Sequence, residues 1–113
     1  MSTKTKENTD IIVEEKESVK EPSKYNIIVH NNDYTSYDEV IIILSNAFEM
    51  QYQEALEVAS IVHKEGRGKC GTYSKEVAEM KLVLINSIKE SLIQIIPQRA
   101  REIKMLLFTI EKA

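Results

Sequence analysis

This chain of 113 residues has one cysteine, no long apolar run and no surplus of basic residues, and each shortage excludes a class of protein. A lone Cys70 cannot build an internal disulfide framework, and it fits a reducing compartment. No apolar stretch approaches the roughly 20 residues that a membrane-spanning helix needs. The net charge of −3 argues against nucleic-acid binding, because neutralising phosphates takes clustered Lys and Arg. The first residues carry Glu7 and Asp10 and no apolar signal-type segment, so a cytoplasmic protein is expected.

Catalytic and metal motifs are also missing. Cys70 lies beside Gly71 and reads as a small buried residue, since a Cys–His nucleophile needs an oriented base and an oxyanion site as well. Asn31, Asp33 and Thr35 alternate like oxygen ligands, but the glycine and terminal glutamate of a calcium loop are absent. Gly66-Arg67-Gly68 is not a phosphate loop, because no Gly-Lys-Ser/Thr follows it. No enzyme activity, cofactor or metal is expected.

What is present has a clear order. Residues 1–23 are rich in Lys, Glu, Thr and Ser, and their one apolar cluster, Ile11-Ile12-Val13, is too short to offset chain entropy. A disordered N-terminal extension is expected there, with Pro22-Ser23 at the junction and one domain over 24–113. Tyr25–His30 reads as a strand. Ser36 and Thr35 each stand three residues before an acid, Glu39 and Asp38, so both offer a capping box to the next helix. Val40, Ile41, Ile43, Leu44, Ala47 and Phe48 give that helix a broad apolar stripe. A second helix is expected over 53–65, stopped by Gly66-Arg67-Gly68.

Lys69–Tyr73 fits an edge strand or a turn. Ser74 can cap a long helix from Lys75, with Val77, Met80, Leu84, Ile88 and Ile95 as its buried stripe. Pro97 ends or kinks that helix near Ile96. Gln98–Lys104 is a polar, basic connector with room for a further helical turn, and Met105–Ile110 reads as the last strand. The order β-α-α-β-α-β predicts an α+β fold: a small three-stranded antiparallel sheet packed on three helices.

The densest cluster of acceptors is Asn31-Asn32-Asp33-Tyr34-Thr35, directly after the first strand. Amide and carboxylate oxygens at the rim of a core suit a small cationic ligand. His63, beside Ala59 and Val62, reads by itself as a core-edge residue. If the first strand packs against its helix, His63 comes close to Asn31 and Asp33. An imidazole nitrogen, an amide oxygen and a carboxylate together make a receptor for a primary ammonium.

The run Asn31–Thr35, Val62-His63 with Gly66, Cys70-Gly71, Glu76-Val77-Ala78-Glu79 with Lys81, and Leu106 through Thr109-Ile110-Glu111-Lys112-Ala113 resembles the ClpS family. The similarity spans about residues 24 to 113, and five separated motifs fall in order. Members of this family are adaptors of the bacterial Clp protease. They bind proteins whose first residue is bulky and apolar (an N-degron) and deliver them to the AAA+ unfoldase ClpA or ClpC, which feeds ClpP.

By that resemblance Asn31, Asp33 and His63 would hold the substrate's α-amino group, with Asn32 beside them. Thr35, Tyr37, Ala59, Val62 and Leu106 would line the side-chain pocket. Glu76 and Lys81 would meet the N-terminal domain of the unfoldase, and the leader would be presented to its pore. The resemblance implies N-degron substrates and the unfoldase as partners, and a monomer when free. Three departures stand out. Asn32 replaces an aspartate of the usual Asn-Asp-Asp, Tyr37 and Ala59 stand at positions that are commonly methionine, and the segment from Lys81 to Leu106 is longer by about three helical turns of 3.6 residues. These departures also fit a divergent regulator that docks on the unfoldase without binding N-degrons.

Overall fold

The computed structural model describes residues 23–113, so the expected leader lies outside the described residues except for Ser23. The elements run β1 (Lys24–His30), α1 (Tyr37–Phe48), α2 (Tyr52–Glu65), β2 (Arg67–Ser74), α3 (Lys75–Ile95), a 3-10 turn (Pro97–Arg99), α4 (Ala100–Met105) and β3 (Leu107–Lys112). The sheet is antiparallel in the order β2-β1-β3, and β1 pairs with both neighbours. This is the expected α+β architecture, with the short α4 added from the basic connector.

Ile27 and Val29 of β1 point into the core, in one cluster with Val40, Ile43 and Leu44 of α1. Each such side chain, once buried, contributes roughly 1.5–3 kcal/mol of hydrophobic stabilisation. Thr109 hydrogen-bonds His30 and Thr72 hydrogen-bonds Asn26 across neighbouring strands. Between the register positions of Ile27 and Ile28 the β1–β2 ladder slips, leaving Cys70 without a Cα partner. Cys70 is buried, and burial pushes its thiol up to about 12, so it holds its proton at neutral pH.

Of the two candidate caps for α1, Ser36 is the one used. Its hydroxyl accepts from the Glu39 N–H, and the Glu39 carboxylate accepts from the Ser36 N–H at 3.0 Å. Thr35 is not the cap, because its hydroxyl points to Asn32 Oδ1 at 2.9 Å. The strand β2 begins at Arg67, two residues before the expected start, since Gly68 fits against α2 where a side chain would not. A Cβ there would lie 2.6 Å from Val62 Cγ2.

The expected buried stripe of α3 holds only at Ile88, which packs against the core. Val77, Met80, Leu84 and Ile95 are exposed, and the helix instead buries Ala78, Ile85 and Leu92. The helix is apolar on more than one face, so periodicity alone cannot choose. The small Ala78 allows the closer approach, and the buried positions recur every seven residues, as for a helix crossing its neighbours at a shallow angle. The last strand also starts two residues late, at Leu107, because Met105 still belongs to α4. Phe108 and Ile110 of this strand pack against the core.

Candidate functional site

The loop between β1 and α1 is seated on the end of α2 by one backbone hydrogen bond. The Asn31 N–H donates to the Gly66 carbonyl at 2.9 Å. Gly66 is the C-cap of α2 at φ 88°, a left-handed conformation that glycine adopts without strain, and its own N–H donates to the Val62 carbonyl. His63 lies one turn before this cap, and its imidazole is exposed. The fold therefore brings the start of the acceptor loop to the same helix end as His63. A helix C-terminus carries partial negative charge and favours a cation.

Asn31 and Asp33 are exposed, whereas Asn32 is half-buried and organises the loop. Its Oδ1 accepts from the Tyr34 N–H, the Thr35 N–H and the Thr35 hydroxyl, each at 2.9 Å. Only the oxygen can accept from backbone N–H groups, which fixes the orientation of the amide. Its Nδ2 then faces the Met105 carbonyl at 3.4 Å. An aspartate could accept the same three bonds but could not donate the fourth.

Tyr37 opens α1, and its ring lies edge-on to His63 with centroids 5.6 Å apart. Ala59, Val62 and Leu106 are buried, with Leu106 only 1% exposed. Ala59, Val62 and Leu106 belong to one buried cluster, and Tyr37 meets His63 beside the end of α2. The Thr35 hydroxyl shares its single proton between Asn32 Oδ1 and the Glu102 carbonyl at 3.2 Å.

Sequence reasoning missed the groups that hold the loop from the other side. Arg99 grips the buried Glu39 through Nε (2.6 Å to Oε2) and Nη2 (2.9 Å to Oε1), and Nη2 also donates to the Tyr34 carbonyl at 2.7 Å. The Arg99 hydrogen bonds hold the Glu39 carboxyl below the usual carboxylate range, although burial opposes this. Between loop and α4 lies a cavity of about 260 Å³ lined by Tyr34, Arg101, Glu102 and Met105. One Glu102 carboxylate oxygen is buried without a hydrogen-bond partner among the described residues. The only sequence signal for this contact was the basic character of the connector.

Glu76 and Lys81 lie on α3, away from this loop in sequence and in their contacts. Glu76 is exposed at the first turn of α3. Lys81 is half-buried: its Nζ donates to the Ala47 carbonyl at 2.9 Å and sits 5.7 Å from the ring centres of Phe48 and Tyr73. It thus supplies the cation that the last turn of α1 lacks. Beside it, Val77, Met80 and Leu84 leave an exposed apolar cavity of about 270 Å³. No helix among the described residues is long and apolar enough to cross a membrane.

Comparison with known proteins gives the family and the fold. The sequence model of the family described as "ATP-dependent Clp protease adaptor protein ClpS" matches residues 20–94, so the 3-10 turn and α4 follow the matched span. An adapter protein ClpS of Vibrio atlanticus is 44% identical over 77 residues, covering 68% of this chain and 73% of the relative. That of Oleidesulfovibrio alaskensis is 37% identical over 83 residues, covering 74% and 78%. Among solved structures, Agrobacterium tumefaciens ClpS2 bound to L-phenylalaninamide superposes with a TM-score of 0.66 at 21% identity, over 82% of this chain and 100% of that one. The chain belongs to the ClpS family of Clp protease adaptor proteins.

Proposed function

We propose that this chain binds proteins through a free α-amino group and a bulky apolar first side chain, and delivers them to the AAA+ unfoldase of a Clp protease, ClpA or ClpC with ClpP. The observation that carries the reading is the Asn31–Gly66 hydrogen bond, which seats the acceptor loop on the α2 terminus beside His63. Asn31, Asp33 and His63 are then the ammonium receptor, and the C-terminal dipole of α2 adds to the local negative potential. Thr35, Tyr37, Ala59, Val62 and Leu106 form the surroundings of the first side chain. Charge-assisted hydrogen bonds of roughly 1.5–3 kcal/mol each set the terminus apart from an internal residue. Burial of a Leu or Phe side chain adds about as much.

The relative from Agrobacterium holds an amide of phenylalanine, a free amine next to an apolar ring. That ligand has the two groups this reading asks for. Docking on the unfoldase's N-terminal domain is assigned to the α3 face with Glu76 and Lys81. Exposed Val77, Met80 and Leu84 there make an apolar centre rimmed by charge, as at protein interfaces.

The test is fluorescence polarisation with peptides beginning Phe or Leu, free or N-acetylated. Binding of the free forms alone is expected, and equal binding of both would remove the ammonium receptor. A second reading has one observation in its favour. The Tyr37 ring packs edge-on against His63, one of the residues assigned to the amine, with centroids 5.6 Å apart. A regulator that docks on the unfoldase without binding N-degrons would retain the unfoldase in a pull-down and ignore every peptide.

A further inference from the structure

Directly after α3, the chain turns back to the recognition loop. Pro97 stops the long helix, the Ile96 N–H closes it on the Leu92 carbonyl, and the Arg99 N–H closes the 3-10 turn on the Ile96 carbonyl. Over the next few residues the segment meets the loop at three points. Arg99 holds the Tyr34 carbonyl, the Glu102 carbonyl faces the Thr35 hydroxyl, and the Met105 carbonyl faces the Asn32 amide. The fork from Arg99 to Glu39 ties the same segment to the first turn of α1, where Glu39 also accepts from the Ser36 N–H.

From these contacts we infer that Pro97–Met105 is a brace that sets the position of the recognition loop, with Arg99 as its positioning residue. A cavity separates Tyr34 from part of α4, and polar tethers cross from α4 to the loop beside it. Removing the tethers therefore frees the loop instead of merely loosening a core. Arg99 acts through three directed bonds from one planar group, a geometry that lysine, a point charge, cannot reproduce. The inference rests on the N-degron reading only for its affinity readout, because the state of the loop can be followed without any ligand.

The experiment compares wild type, Arg99→Lys, Arg99→Gln and the double variant Glu39→Gln/Arg99→Gln. The double variant leaves no unpaired buried charge and guards against simple unfolding. Two quantities are read: the affinity for a free-amine peptide beginning with Phe, and amide hydrogen exchange at Tyr34 and Thr35 against Ile27 and Val29 of β1. Expected are a loss of affinity of about tenfold in Arg99→Gln and the double variant, with a smaller loss in Arg99→Lys. Exchange should quicken at Tyr34 and Thr35 while β1 stays protected. Unchanged affinity in both Gln variants overturns the positioning role. If wild type itself ignores the peptide, the N-degron reading fails by itself. The brace is then judged by exchange alone, and unaltered protection at Tyr34 and Thr35 in the Gln variants overturns it.

Discussion

The loop Asn31–Thr35 is flanked by two segments, the end of α2 and the stretch Pro97–Leu106, and they hold it in different ways. The α2 side gives one backbone hydrogen bond, at Asn31, and leaves the His63 imidazole exposed. The other side gives a guanidinium fork and two backbone carbonyls, and buries the Glu39 carboxylate that the fork grips. Under the proposed function, ligand chemistry and mechanical support are divided between elements far apart in sequence. Substitution on the α2 side should change what binds, and substitution on the other side should change whether the loop and the fold stand.

The largest effect is expected at Leu106, which closes the supporting side and is fully buried. Its carbonyl accepts from Lys89 Nζ at 2.8 Å, and its side chain joins the core cluster. Leu106→Ala should lower the free energy of unfolding in urea by roughly 2–5 kcal/mol, the range for a deleted core leucine. A loss under about 1 kcal/mol would show that the neighbouring layers collapse around the missing side chain. His63→Ala should do the opposite. Affinity for a free-amine Phe peptide should fall about 10–100-fold, while stability moves by no more than about 1.5 kcal/mol, the upper worth of the ring contact with Tyr37. Retained affinity would return His63 to the role of a core-edge residue.

The two sides also differ in how much the sequence disclosed. The acceptor loop, the cap at Gly66 and the histidine one turn before it are local signals, because each lies within a few residues of the element it controls. The stop at Pro97 was legible for the same reason. The supporting contacts were not, since Arg99 and Glu39 are 60 residues apart and the other tethers end on backbone carbonyls, which every residue has. The face of α3 was misjudged because its apolar residues cover more than one side, and only Ala78 and the neighbouring layers decide which is buried. Asn32 reads as a lost charge in the sequence, but in the structure its Oδ1 is occupied inside the loop.

Tyr37 stands between the two sides and tests their division directly. Its ring meets His63 edge-on, a contact worth roughly 0.5–1.5 kcal/mol in aromatic pairs. Replacing it by methionine, which is flexible and fills irregular space, should alter the ratio of affinities for Phe-first and Leu-first peptides by about 2–10-fold. The free-amine requirement should remain, because the ammonium contacts lie elsewhere. An unchanged ratio would put Tyr37 outside the pocket.

The smallest effect belongs to Glu39, and pH is the way to reach it. The Arg99 hydrogen bonds hold its folded-state pKa below that of the unfolded chain, with burial working against them. Such a group adds stability that is fully present above the ordinary carboxylate range and disappears as pH falls through the lower, folded value. Wild type should therefore lose more stability between pH 7 and about pH 3 than Glu39→Gln, whose amide does not titrate in this range. Urea unfolding at both pH values gives the comparison. The other carboxylates titrate in both proteins and cancel, so the difference reports Glu39 with its two partners, Arg99 first and the Ser36 cap second. Equal losses would mean that the fork contributes nothing to holding Glu39 ionised, and the support beneath Tyr34 would then rest on the carbonyl tethers alone.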